Sequence, residues 1–151
     1  MIGIVIDGRT WGNDDGKSCI TVQNGGVLML IDHSIIDGGT RNWGINVEPG
    51  GQLLIVSAQI SYCDRGIVLQ GNSYCDLASG TAVQWWGNDG KAVDITHNSV
   101  GIYCGGNYRG TLVVNHTTQN TEKINFEENS WGIFAEAHSG SINVIRARMV
   151  H

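Results

Sequence analysis

Hydrophobic and polar residues alternate in short runs along most of this chain, and several of the runs share the same opening. In each of four segments, polar residues and one bulky or charged residue precede Gly-Ile and an alternating apolar run; the glycines are Gly44, Gly66, Gly101 and Gly132. They lie 22, 35 and 31 residues apart, within the range of repeats that stack into solenoids. Alternation with a period of two predicts strands with one buried face, not helices.

One repeat is complete enough to predict its parts. In order, they are a strand over 101–104, a turn over 105–107, a strand over 111–114, a turn near 119–120, a strand over 123–126 and a polar corner at 129–130. Three short strands and three corners are typical of one rung of a parallel β-helix, whose rungs pair with their neighbours above and below. We predict a single domain over 1–151, with a strand and turn segment over 1–16 and rungs over 17–151.

Two segments resemble a known family. Ile95–Ile102 and Phe126–Ile133 are similar to the right-handed parallel β-helix repeat of pectate-lyase-like proteins and phage tailspikes, and the resemblance covers roughly residues 17 to 148. It implies a fold and not a reaction: an all-β, right-handed, single-stranded parallel β-helix of about five rungs. Trimeric tailspikes and virion-decorating β-helices imply in addition a side-by-side homotrimer.

Stacking the repeats predicts which side chains point inward and which point outward. The two predicted inward columns are Leu28, Leu53, Leu112, Ile142 and Leu30, Ile55, Val114, Val144. Met29, Leu54 and Val113 then point outward and form an apolar patch that a monomer does not usually expose. Charged residues make up only 15% of the chain. We therefore predict that Met29, Leu54 and Val113 form an oligomer face.

Asparagines recur at the predicted polar corners, at Asn42, Asn98 and Asn129. Side-chain amides stacked from rung to rung can hydrogen-bond along the axis and satisfy buried backbone groups of the turns. We predict a structural corner ladder of these three residues.

A tryptophan pair is the main candidate for ligand binding. We interpret Gln70–Gly80 as an insertion before a strand containing Trp85 and Trp86, and insertions of solenoids often carry binding. Trp85, Trp86 and Tyr74 are candidates for stacking on a sugar, with plain packing as the alternative. Trp43 and Trp131 occupy equivalent positions two repeats apart, and packing is the predicted role for both.

No catalytic residue is predicted. Glycoside hydrolysis needs two carboxylates about 5–9.5 Å apart, and matching the repeats from their glycines stacks no acidic residue on another. A mixed group of Asp32, His33, Ser57 and His116 and the pair His97 and Glu128 are open alternatives; for that pair, a cross-rung hydrogen bond is the preferred interpretation. The polar turn over 12–16 lacks the pattern of a calcium loop, and no metal or cofactor is predicted.

The four cysteines fit no zinc spacing. Cys19 and Cys104 are predicted to be inward-facing free thiols. Cys63 and Cys75 are predicted to be reduced because no export signal is visible, with a disulfide across the insertion as the alternative.

Composition limits the partners. The net charge is −5 and no cluster of Lys and Arg is present, so nucleic acid is not an expected partner. No apolar run reaches the roughly 18 residues of a membrane helix. The resemblance implies a phage virion-surface protein, of decoration or tailspike type, that contacts host glycans and belongs to a larger assembly. The alternatives are a polysaccharide-active enzyme of the lyase or glycoside hydrolase type, a sugar-binding fragment of one, and a secreted or cell-surface adhesin module.

Overall fold

The structure is a computed structural model that describes residues 5–7, 17–31, 34–40, 42–77, 93–114, 124–136, 140–144 and 148–150. These ranges contain strands and turns and no helix. The strands are β1 (Val5–Asp7), β2 (Ser18–Val22), β3 (Val27–Leu30), β4 (Ser34–Asp37), β5 (Trp43–Val47), β6 (Gln52–Ile55), β7 (Ala58–Ser61), β8 (Arg65–Leu69), β9 (Tyr74–Leu77), β10 (Val93–Thr96), β11 (Val100–Cys104), β12 (Thr111–Val114), β13 (Ile124–Glu127), β14 (Trp131–Ala135), β15 (Ser141–Val144) and β16 (Arg148–Val150).

The strands form three sheets. Sheet A has the order β1-β4-β7-β10-β13-β16, sheet B the order β2-β5-β8-β11-β14, and sheet C the order β3-β6-β9-β12-β15. Consecutive strands therefore enter sheets A, B and C in turn, and neighbours within a sheet pair in parallel. The predicted all-β, parallel architecture is confirmed. The cyclic order is consistent with a parallel β-helix, and we call one passage through A, B and C a rung.

Register aligns the inward side chains into columns. In sheet B the first inward column is isoleucine in every rung: Ile20, Ile45, Ile67, Ile102 and Ile133. The register of the predicted columns of sheet C is confirmed, with Cys75 and Leu77 of β9 supplying the rung that the sequence did not identify. A fully buried Ile or Leu contributes roughly 1.5–3 kcal/mol relative to an exposed one. The columns therefore hold the rungs together.

Close contact between rungs explains the glycines that open the repeats. A Cβ atom on Gly44, Gly66 or Gly101 would lie 2.5, 2.6 or 2.5 Å from the carbonyl oxygen of the glycine in the next rung. Because this neighbour is backbone, it cannot move away without disturbing the ladder. Glycine is required here for space, and none of these three residues has a positive φ.

The third rung differs from the prediction. Tyr74–Leu77 is not part of an insertion; it is strand β9 of sheet C, in register with β6 and β12. The additional length lies after it, because 15 residues separate Leu77 from Val93. The polar Tyr74 and Asp76 concealed the alternation, since only Cys75 and Leu77 point into the core.

Candidate functional site

The outward side of sheet B carries a group of aromatic and cationic side chains that we call the sheet B array. Its members are Trp43 on β5, Arg65 on β8, Tyr103 on β11, and Trp131 and Phe134 on β14. The Arg65 Cζ atom lies 3.8 Å from the centroid of the Tyr103 ring and 5.3 Å from that of Trp43. Distances of this size are typical of cation–π contacts.

The aromatic half of the array continues to the last strand of sheet B. The rings of Tyr103 and Phe134 are stacked, with centroids 5.8 Å apart and planes 3° from parallel. The ring of Trp131 meets Phe134 edge to face, at 5.5 Å and 75°. Both are geometries that aromatic pairs prefer, and the register between β11 and β14 brings the rings together.

Hydrogen bonds and charges fix the polar edge of the array. The Tyr103 hydroxyl donates to Glu136 Oε1, and burial together with this bond raises the pKa of Tyr103. Arg65 Nε lies 3.8 Å from Asp64 Oδ2. One cation and two carboxylates therefore border the aromatic rings.

Exposure is uneven across the array. Trp131 is 58% exposed, whereas Val68, which is in register with Tyr103, is only 2% exposed. The middle of the outer face is therefore covered, and the Trp131 end is open to solvent. Comparison of a single position per repeat does not reveal this site, although Tyr103 and Phe134 both lie two residues after the repeat glycine.

The corner between sheets A and B contains two of the three predicted ladder asparagines. Asn98 Nδ2 donates to Asn129 Oδ1 at 3.0 Å and to the carbonyl oxygen of Ile60 at 3.1 Å. Asn98 Oδ1 accepts from the Cys63 amide at 2.9 Å. Asn129 repeats the pattern one rung later, accepting from the Asn98 amide and donating to the Ile95 carbonyl.

Asn42 does not lie at this ladder position. It directly precedes β5, whereas Asn98 and Asn129 lie two residues before their strands, and Cys63 occupies the equivalent position in the rung between. The reason is the longer corner between β4 and β5, which has five residues where the later corners have three. Asn42 is buried, and its register position is that of Asp64.

The same corner presents a column of exposed side chains. Tyr62, His97 and Glu128 all adopt positive φ values, of 54°, 56° and 53°. The rings of Tyr62 and His97 lie 4.9 Å apart, and His97 Nε2 lies 2.5 Å from Glu128 Oε2. Both partners of the His97–Glu128 pair are exposed, in agreement with the preferred cross-rung contact.

The predicted oligomer face is interrupted. Met29 and Leu54 are register partners, but Asp76 lies between Leu54 and Val113. Asp76 is 7% exposed and its Oδ2 accepts a hydrogen bond from the Tyr74 hydroxyl at 3.1 Å. The three apolar residues therefore do not form one continuous patch.

Of the other residues singled out from the sequence, some lie outside the described residues and some lie within them. Trp85, Trp86, Asp32, His33, His116 and the turn over 12–16 lie outside the described residues. Tyr74 is half-buried and Ser57 is buried. Within the described ranges, no group of three or more His, Cys, Asp or Glu side chains is placed to hold a metal ion.

The four cysteines are free thiols. Cys63 lies in the corner between sheets A and B, and Cys75 lies on β9 in sheet C. Burial raises the pKa of Cys63 to about 12, with a further contribution from Cys19. Burial also raises the pKa of Cys104 to about 11 and that of Cys75 still further.

One stacked pair of acidic residues corrects the sequence analysis. Asp7 of β1 and Asp37 of β4 are register partners in sheet A. The matching from the repeat glycines missed them because β1 precedes the first of those glycines. Asp37 Oδ1 accepts a hydrogen bond from the Gly39 amide at 3.0 Å.

Comparison of the chain with family models, curated proteins and solved structures gave no match. In the part of the chain that the structure describes, no helix is both long and apolar enough to span a bilayer.

Proposed function

We propose that this chain is a right-handed parallel β-helix that serves as a structural, receptor-contacting component of a phage virion surface, where it contacts host glycans. The handedness follows the strong preference of parallel crossover connections. The proposal makes the protein a non-enzymatic binding surface within a larger assembly.

The sheet B array is the observation that supports this proposal. Its rings lie on the outside of a sheet whose inner face is already packed, so they are not needed to fill the core. Aromatic side chains with polar groups at their edges suit partners that are apolar on one side and polar on the other, and pyranose rings have this character.

Association into a side-by-side homotrimer is part of the proposal. Val27 is 60% exposed and Met29 38% exposed, and both lie on the outward side of β3, next to Leu54 on β6. These residues of the first two rungs remain available for subunit contact, although Asp76 interrupts the face further along. Size-exclusion chromatography with light scattering tests it: a trimer supports the proposal, and a stable monomer at micromolar concentration contradicts this part.

Glycan contact is tested separately. We expect the purified protein to bind intact bacterial cells or their isolated surface polysaccharides, and to lose that binding when the polysaccharide is removed enzymatically. Absence of binding to every polysaccharide in a broad panel would contradict the proposed function.

A polysaccharide-active enzyme is the second candidate, and the Asp7 and Asp37 pair favours it. Glycoside hydrolysis uses a pair of carboxylates, and these two acidic residues come from neighbouring rungs of sheet A. The test is release of reducing ends or unsaturated products from polysaccharides, with Asp37→Asn as the variant. Product release by the protein and none by the variant would favour the enzyme.

A further inference from the structure

The corner between β2 and β3 contains the one asparagine of the chain that precedes a glycine, Asn24 before Gly25. The Gly26 amide donates to the Gln23 carbonyl at 2.8 Å, which makes residues 23–26 a β-turn with Asn24 and Gly25 at its centre. Gly25 has a φ of 75°, the conformation that the third residue of a type II turn adopts. Both Asn24 and Gly25 are exposed, so water reaches the corner.

The next rung holds the Asn24 side chain and the Gly25 amide on the same side of this turn. A Cβ atom on Gly50 would lie 2.1 Å from Asn24 Oδ1 and 3.0 Å from Asn24 Cγ, so the side-chain amide occupies space that Gly50 leaves open. The Gly25 amide donates to the Gly50 carbonyl oxygen at 3.1 Å. The side-chain carbon of Asn24 and the backbone nitrogen of Gly25 therefore both face Gly50, an arrangement that favours attack of the nitrogen on the carbon.

The hydrogen bond to Gly50 is the main obstacle to this attack, because it holds the proton of the attacking nitrogen. The bond belongs to an end rung, since β2 and β3 each lie at one end of the strand orders that the structure describes. Peripheral elements of a protein fray with a small free energy of opening. Each such opening releases the Gly25 amide from its partner.

A second exposed asparagine lies in the corresponding corner between β11 and β12, in a different setting. Asn107 is exposed, but the residue after it, Tyr108, is 0% exposed and packs in the core. The Tyr108 amide donates to the Gly105 carbonyl at 2.9 Å, and β11 and β12 are each paired on both sides. Attack by the Tyr108 nitrogen would require movement of a fully buried ring, so Asn107 serves as an internal control.

We infer that Asn24 is a site of spontaneous deamidation in the folded protein, favoured by its place in the end rung. Hydroxide removes the Gly25 amide proton, the nitrogen forms a bond with Asn24 Cγ, and the Cγ–Nδ2 bond breaks with release of ammonia, which takes its third proton from water. Water then opens the resulting succinimide ring at either carbonyl and gives aspartate or isoaspartate. Reactions of this kind make asparagine a thermolabile residue. Both products add a negative charge to the corner, and isoaspartate also lengthens its main chain.

The experiment is peptide mapping by mass spectrometry after incubation of the intact protein in mildly alkaline buffer, with a parallel sample unfolded in urea. In the folded protein, we expect the Asn24 peptide to gain the mass difference between an amide and an acid. The ratio of the Asn24 rate to the Asn107 rate should be about tenfold or more higher in the folded protein than in urea, which corresponds to about 1.4 kcal/mol between the two opening free energies. The urea sample removes the effect of sequence, because glycine and tyrosine follow the two asparagines in both samples.

Asn24→Gln should abolish the gain at this position, because glutamine closes a larger ring more slowly, and Asn107→Gln is the matched control that should leave it unchanged. Circular dichroism establishes that both variants are folded. No gain at Asn24 in the folded protein would show that the corner protects it and would overturn the inference. A rate ratio no larger in the folded protein than in urea would equally overturn it, since the end rung would then have no part in the reaction.

Discussion

The last three connections from sheet A to sheet B have the same length, whereas the connections from sheet C to sheet A vary in length. Three residues join β7 to β8, β10 to β11, and β13 to β14, with the same backbone conformation at the first of them. On the other side, two residues join β6 to β7 and 15 join β9 to β10. Even so, β10 pairs with β7 in full register, Ile60 against Ile95.

The difference is explained by how each connection satisfies its backbone. In the A-to-B corner between β7 and β8, amide and carbonyl groups bond to an asparagine of the next rung, which favours corners of equal length. The corner between β4 and β5, whose neighbour in the next rung has Cys63 at the ladder position, has five residues. On the C-to-A side, the Val56 and Ser57 amides between β6 and β7 donate to the Leu30 carbonyl of the preceding rung, and lengthening a loop adds only about 0.6 kcal/mol of closure cost for each doubling of length. The length of a connection therefore varies where the register of the paired strands does not depend on that length.

Insertion of two residues into an A-to-B corner is expected to have the largest effect on the free energy of unfolding. Gly-Ser placed between Cys63 and Asp64 should displace the Cys63 amide from Asn98 Oδ1 and the corner carbonyls from their partners. With roughly 1–3 kcal/mol for each buried group left unsatisfied, we expect a loss of about 2–6 kcal/mol in the free energy of unfolding, measured by urea denaturation.

The matched control is the same insertion within residues 78–92, between β9 and β10. Here the expected loss is below about 0.6 kcal/mol. Equal losses at the two sites would contradict the proposed difference between the connections.

Asn98→Leu tests the ladder without changing the length of the corner. Because the variant leaves the Cys63 amide and the Ile60 carbonyl without their side-chain partner, we expect a loss of up to about 2–6 kcal/mol, at roughly 1–3 kcal/mol for each group. Asn107→Leu, at an exposed asparagine in the B-to-C corner, should have little effect. An unchanged melting temperature for Asn98→Leu would show that the ladder does not stabilise the corner.

Gly101→Ala tests the contact between neighbouring rungs. The new Cβ atom would lie 2.5 Å from the Gly132 carbonyl oxygen, and we expect a loss of roughly 1–3 kcal/mol from overpacking. Gly105→Ala is the control, since its Cβ atom would meet no atom nearer than 3.6 Å. Chemical denaturation of both variants measures the difference, and a Gly101→Ala protein as stable as Gly105→Ala would argue against stacked backbones at this position.

The smallest expected effect is the change in stability with pH that comes from the thiol of Cys63, the residue that interrupts the ladder. Its pKa is raised by burial from 9.0 to about 12, so the folded state favours the neutral thiol. Its contribution to stability is complete below about pH 9 and is lost as the pH rises toward 12. Between pH 8 and pH 10 we expect Cys63 to account for about 1 kcal/mol of lost stability. Cys63→Ala should therefore lose less over that interval; an identical pH dependence would contradict burial of the thiol.

The sequence predicted the inner columns well and the outer surface poorly. Alternation of Ile, Leu and Val permits few registers of strand pairing, because a shift of one residue would expose a whole column. The position of Asn42 failed because the prediction compared residue types without counting to the strand. The sheet B array was missed because only one position of each repeat was compared, whereas its contacts join different positions of neighbouring rungs, from Arg65 in one rung to Tyr103 in the next.

The distance between the two ends of one outward column tests the stacked arrangement most directly. In a Cys19→Ser background, spin labels at Val27→Cys and Ser141→Cys would mark exposed positions four register steps apart on sheet C. At about 4.8 Å per step, their backbones should lie about 19 Å apart, and moving the first label to Gln52→Cys should shorten this by about 5 Å. An electron paramagnetic resonance distance that does not change between the two pairs would contradict the account.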